Sequence, residues 1–245
     1  MTRTMFKNSK GKARPKPAAR TPKGEATRQR ALHAALALFR RKGFGGTTMR
    51  DIAKEAGLSL GAAYHYFPSK DALVMDYYEW LQTEHERRAG GETPEGADVA
   101  TRLRVLLRTK LDLLARDRKI LAALFRNIGD PAHPLSVFSR QTETIRRRSI
   151  AQFEEACASL PAQLRQPVGL LAWFGHLALI LLFLHDRSRG QARTRALADE
   201  VAGMAAGALP LLAMPFAAPA LDRFLDVARA MGLEGIGGKE GKDGP

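Results

Sequence analysis

The most specific spacing of residues in the chain lies between Thr48 and Phe67, TMRDIAKEAGLSLGAAYHYF. Thr47 or Thr48 can cap a helix, with Asp51, three residues after Thr48, as a capping-box partner. Ala53 and Ala56 are small enough for a second helix to cross that one closely. Gly57 can adopt the positive φ that a tight turn between them needs, and Leu58 follows as an apolar plug. Ser59 can cap the second helix. Its outward residues, Ser59, Leu60, Gly61, Ala62, Tyr64, His65 and Tyr66, are small or polar, as a helix seated in the DNA major groove requires. The chemistry on offer is nucleic-acid recognition by a helix-turn-helix. A plain helical hairpin is the alternative.

Bond-making chemistry has no comparable signature. The chain contains no HExxH or P-loop pattern. Cys157 is the single cysteine, which excludes an intrachain disulfide and a cysteine-based zinc site. Glu154 and Glu155 beside it would disfavour a thiolate. No enzyme, metal or cofactor is expected. A chain without disulfides suits a reducing compartment, and a cytoplasmic location is expected. The first twenty residues hold no apolar segment, so no secretory signal is expected.

Charge is concentrated where the motif lies. The 245 residues carry a formal net charge of +14. Residues 1–70 hold 16 basic and 3 acidic residues, and the remainder is nearly neutral. Such a head suits long polyanions, either nucleic acid or an anionic membrane surface. Residues 1–24, with eight basic residues and no acid, are expected as a disordered basic arm. Arg14-Pro15-Lys16-Pro17 has the make-up of an arm that enters a minor groove; a solvated tail adding only non-specific attraction is the alternative.

The elements that must position the motif read as helices throughout, with no strand. Leu32, Ala35, Leu36 and Phe39 share one helical face, and Gly43 can close that helix after Arg40, Arg41 and Lys42. Phe67-Pro68 ends the recognition helix, and Ser69 caps a longer one from Lys70. Val99, Leu103, Leu106, Leu107, Leu111 and Leu114 form a second stripe. Further helices are expected over Ile120–Ile128, from Pro134 through Phe153, over about twenty residues ending near Leu212, and over Leu221–Met231. Pro161 and Pro167 are expected to punctuate the chain before an apolar run, Val168–Leu184. That run is short for a membrane span of about 20 residues, and a buried core or interface helix is expected instead. The fold class is all-α, with a helix-turn-helix domain at 25–70, a helical body at 71–231 and a flexible tail at 232–245.

Thr47-Thr48-Met49-Arg50-Asp51-Ile52-Ala53, Ala56-Gly57-Leu58-Ser59-x-Gly61 and Tyr64-His65-Tyr66-Phe67-x-Ser69-Lys70-Asp71-x-Leu73 together resemble the N-terminal domain of TetR-family transcriptional regulators. The resemblance covers about residues 25–75. It implies a DNA interface drawn from Thr47, Thr48, Met49, Ser59, Leu60, Gly61, Ala62, Tyr64, His65, Tyr66 and Lys70. Thr48 and Lys70 would meet phosphate, and Tyr64 and Tyr66 phosphate and base edges. Gly61 would let the backbone approach the bases, and Phe67 would pack the core. No Arg, Asn or Gln lies between Ser59 and Phe67, so readout would lean on apolar contact, His or Tyr bonds and DNA shape.

The resemblance further implies a double-stranded, pseudo-palindromic DNA operator, a homodimer and a small-molecule effector, most simply in a repressor. The apolar run and the helix through Ala202–Leu212 are the candidate dimer surfaces. Phe125, Phe138, Phe153, Trp173, Phe174 and His176 are candidate pocket residues, with plain core packing as the alternative for each. Membrane association through Val168–Leu184 and the basic arm is the rival function, and an enzyme built on a helical bundle is the third.

Overall fold

The computed structural model describes residues 21–125 and 128–233. Most of the expected basic arm and of the expected tail lie outside these residues. Among those described, the chain forms ten α-helices and no strand.

Three helices build the head. α1 (Pro22–Lys42) begins earlier than expected: Thr21 accepts from the Gly24 amide and Pro22 takes the first helical position, where its missing N–H costs nothing. Residues 22–24 therefore belong to the head and not to the arm. Leu32, Ala35, Leu36 and Phe39 are buried, and the helix closes at Gly43 with φ 78°. α2 (Met49–Glu55) starts at a complete capping box between Thr48 and Asp51. Gly57 takes φ 66° in the turn. α3 (Leu60–Tyr66) is capped by Ser59 and stops at Phe67, because the residue before Pro68 is steered away from the helical region.

α4 (Lys70–Glu92) carries the head onto the body. Its first half buries Leu73, Val74 and Tyr77, and its second half buries Leu81, Gln82, His85 and Ala89. The body adds α5 (Val99–Ala115), α6 (Arg118–Leu124), α7 (Glu143–Ala156), α8 (Ala162–His185), α9 (Ala192–Leu212) and α10 (Ala218–Ala230). α7 and α8 cross at Gly169, where a Cβ would lie 2.7 Å from the Cα of Glu154. Only a residue without that carbon fits there.

Three expectations need correction. The helix expected over Ile120–Ile128 is α6, which begins at Arg118 and ends at Leu124. The helix expected from Pro134 begins only at Glu143; residues 131–142 form consecutive turns. Hydroxyls compete with the helical ladder there. Ser136 Oγ donates to Ile128 O at 2.5 Å, Ser139 Oγ to Pro134 O at 3.0 Å, and Thr142 Oγ1 to Ser136 O at 2.6 Å. Pro167 lies inside α8 rather than before it, close enough to the N-terminus that one lost backbone bond is tolerated.

By length and composition α8 could cross a membrane, but 56% of its most apolar stretch is buried inside the protein. Its neighbours α5, α6, α7, α9 and α10 make it a core helix. What it leaves outside includes Leu171, Leu181 and Leu182; α9 likewise exposes Leu197, Met204 and Leu211.

Candidate nucleic-acid interface

The outer face of α3 is open. Tyr64 is 48% and Leu60 37% exposed. Ser59, Gly61 and His65 are exposed, Ala62 and Tyr66 half-buried. No protein atom lies within 4 Å of where a Gly61 Cβ would sit, so another backbone can approach. The inner face is Ala63 and Phe67, both buried, with the Arg28 guanidinium 4.7 Å above the Phe67 ring. The helix is thus held from behind and bare in front.

The N-terminus of α2 lies at the other end of the turn. Thr48 is exposed; its hydroxyl accepts from the Asp51 amide at 3.1 Å and donates to Asp51 Oδ2 at 2.8 Å. The Thr48 amide, which donates to Asp51 Oδ2 at 3.0 Å, and then the Thr48 hydroxyl hold the Asp51 carboxyl below the usual carboxylate range. Thr47 and Met49 do not join this surface. Thr47 is 1% exposed and its hydroxyl donates to Gly43 O at 2.8 Å, while Met49 is buried in the head's core. Their expected side-chain contacts with DNA are corrected: both side chains serve packing. Lys70 Nζ donates to Phe44 O at 2.7 Å and sits 4.4 Å from the Phe44 ring centroid, so it also ties α4 to the loop after α1.

Arg50, which sequence reasoning passed over, is exposed in the first turn of α2 and has no ion-pair partner among the described residues. Its neighbours Arg41 and Lys42 are engaged by Glu55 and Asp51. Its place two residues beyond the capping Thr48 was the available signal.

The head is joined to the body by polar groups, of which Asp117 and Tyr77 are buried. Arg40 near the end of α1 donates to both oxygens of Asp117, at 2.5 and 3.1 Å, and the Tyr77 hydroxyl donates to Asp117 Oδ2 at 2.7 Å. Burial, reinforced by the Asp117 charge, pushes the Tyr77 phenol far up, so it stays a donor. Asp117 stands at the N-terminus of α6. On the other side of the head, Arg28 pairs with Asp76 of α4.

α6 also forms one wall of a cavity of about 120 Å³ in the body. Leu121 and Phe125 line it, with Lys110, Arg146, Trp173 and His176 among the rest. Of the candidate pocket residues, Phe125, Trp173 and His176 therefore come together. Phe153 instead lines, with His176, a second cavity of about 230 Å³ among α5, α8 and α9. Phe138 lines neither cavity; it packs half-buried against the core. Phe174 packs against Phe224 of α10, ring centroids 6.4 Å apart. Burial pushes the Cys157 thiol up to about 11, which keeps it protonated and unreactive at neutral pH. No group of three or more metal-ligating side chains occurs among the described residues.

Residues 31–76 match the family described as bacterial regulatory proteins, tetR family. The chain is 33% identical over 100 residues to the HTH-type transcriptional repressor KstR of Rhodococcus jostii, covering 40% of this chain and 46% of that one. Matches to curated relatives span only 17% to 53% of those relatives' own lengths. The fold is shared more widely. A TetR transcriptional regulator from Nitrosomonas europaea superposes with a TM-score of 0.59 at 19% identity, over 74% of this chain and 98% of that one. The regulator FadR from Bacillus subtilis, in complex with stearoyl-CoA, does so with 0.56 at 15% identity, over 71% and 96%.

Proposed function

The chain belongs to the tetR family of bacterial regulatory proteins through its N-terminal domain, and from that premise we propose that it is a dimeric transcriptional repressor released from its operator by a small molecule. The observation that carries the reading is α3, packed from behind by Ala63 and Phe67 and bare along Ser59, Leu60, Gly61, Tyr64 and His65. Ser59, Leu60, Gly61 and Ala62 meet base edges, with Tyr64, His65 and Tyr66 at bases or phosphate. Thr48, Arg50, Lys70 and the free amides at the start of α2 hold the backbone phosphates.

Two heads on a two-fold dimer fit a pseudo-palindromic operator with half-sites roughly 34–36 Å, or a multiple, apart. The apolar stripes of α8 and α9 form the dimer face, and the protein works in the cytoplasm, where that DNA is. Release runs through α6. Its Leu121 and Phe125 end touches the cavity, while Asp117 at its start grips Arg40 of α1. A ligand that prefers a displaced α6 shifts the population toward heads that no longer match the operator, by no more than its differential affinity for the two states. In a neighbour of the same fold the bound molecule is stearoyl-CoA, which supports a small-molecule effector.

Tyr64→Ala tests the interface. It should lower operator affinity by about 1–3 kcal/mol, read by fluorescence anisotropy, and leave thermal stability unchanged because the ring is exposed. Unaltered DNA binding would remove α3 from the interface.

A further inference from the structure

The cavity behind α6 holds polar groups that the chain itself does not satisfy. Lys110 is buried in the middle of α5. Its ammonium has three N–H donors, yet Nζ makes a single long bond, 3.4 Å, to Gln82 Oε1, and no carboxylate pairs with it among the described residues. His176 from α8 lines the same cavity at 3% exposure, and its ring makes no hydrogen bond beyond a weak approach to the Trp173 backbone one turn back. Buried polar atoms without partners are uncommon and call for a reason. The lining contains Lys110 and Arg146 and no aspartate or glutamate. Arg146 is anchored through its terminal nitrogens, which donate to the carbonyls of Val137, Ser139 and Gly232, and only its buried Nε has no partner. Lys110 is the cation left over. Leu121, Phe125, Leu135 and Ile145 of the lining are apolar.

We propose that this cavity takes an amphipathic carboxylic acid, its carboxylate accepting from Lys110 Nζ with His176 beside it and its apolar body lying among Leu121, Phe125, Leu135 and Ile145. The inference rests on the regulator reading and names the chemistry of its effector. A carboxylate brings both the acceptors and the charge that this corner lacks, and a charge-assisted bond is about twice as strong as a neutral one. A primary amide brings the acceptor without the charge. A cation would be repelled.

Burial pulls Lys110 down to about 7. Around it, His85 and His176 are held neutral by burial, and Glu86 is occupied by Arg148. An arriving carboxylate therefore restores the ammonium and draws in a proton. At pH 8 binding should take up most of one proton.

Isothermal titration of the full-length protein at pH 8, in phosphate and in Tris, tests this with hexanoate, octanoate and decanoate against the matching primary amides. At least one acid is expected to bind tenfold or more tighter than its amide, with proton uptake. Lys110→Met should bring the acid down to the amide's affinity and leave the amide unchanged. If no acid binds, if acid and amide bind alike, or if Lys110→Met keeps the preference, the proposal falls; the wild-type comparison stands even if the variant does not fold. Ligand-free DNA binding is measured in parallel. A chain that binds its operator but rejects every acid loses this inference alone. One that binds acids but no DNA keeps the site and loses the regulator reading.

Discussion

Thr48 serves two ends with one hydroxyl. It completes the capping box that starts α2, and it leaves the remaining amides of that turn facing solvent, where a phosphate can reach them. Thr48→Ala should cost about 1 kcal/mol of stability, measured by denaturant unfolding, and weaken DNA binding on all sequences alike. Lys110 shows the opposite economy. Its folded-state value, near 7, lies below the ordinary 10.5, so between those values the unfolded chain holds the extra proton. Stability of the ligand-free protein should therefore rise with pH from about 7 upward, by at most about 1.4 kcal/mol per unit. Lys110→Met should flatten that slope and stabilise the protein below pH 7. Urea unfolding at pH 6.5 to 9 measures both effects.

At the scale of elements, local chemistry explains what could be read and what could not. The caps at Thr48, Ser59 and Ser69, the turn at Gly57 and the stop at Phe67-Pro68 were legible because each acts within four residues. The turns over 131–142 were not, since three hydroxyls reach backbone carbonyls five to eight residues away. The burial of Thr47 and Met49 was missed for a related reason: a motif gives spacing, while burial depends on how α2 lies against α1. The cavity's polar corner had a signal. Lys110 falls four residues after Leu106 and four before Leu114, on the apolar stripe of α5, where a solvated lysine has no place. Gln82 and His85 likewise share the buried face of α4 with Leu81 and Ala89. Among elements the tightest constraint is the α7–α8 crossing. Gly169→Ala places a methyl 2.7 Å from the Glu154 backbone, and the overpacking should cost about 1–3 kcal/mol, seen as a lower thermal midpoint with head-only DNA contacts unchanged.

At the scale of the whole molecule, the charge divides along the same line as the fold. Residues 1–70 carry nearly all of the +14, and the helices of that segment present α3 outward; the body is close to neutral and keeps the cavity. The exposed Leu171, Leu181 and Leu182 of α8 and Leu197, Met204 and Leu211 of α9 are the surface that the proposed dimer would bury. The salt bridge from Arg40 to Asp117 joins the two regions at α6. In the proposed dimer, two such heads read one two-fold DNA site. Selection of duplexes from a random library by the full-length protein, followed by sequencing, tests it most directly. The enriched sites should be inverted repeats with half-sites roughly one helical turn, or a multiple, apart. Enrichment of no sequence, or of an unrepeated single half-site, would contradict the account.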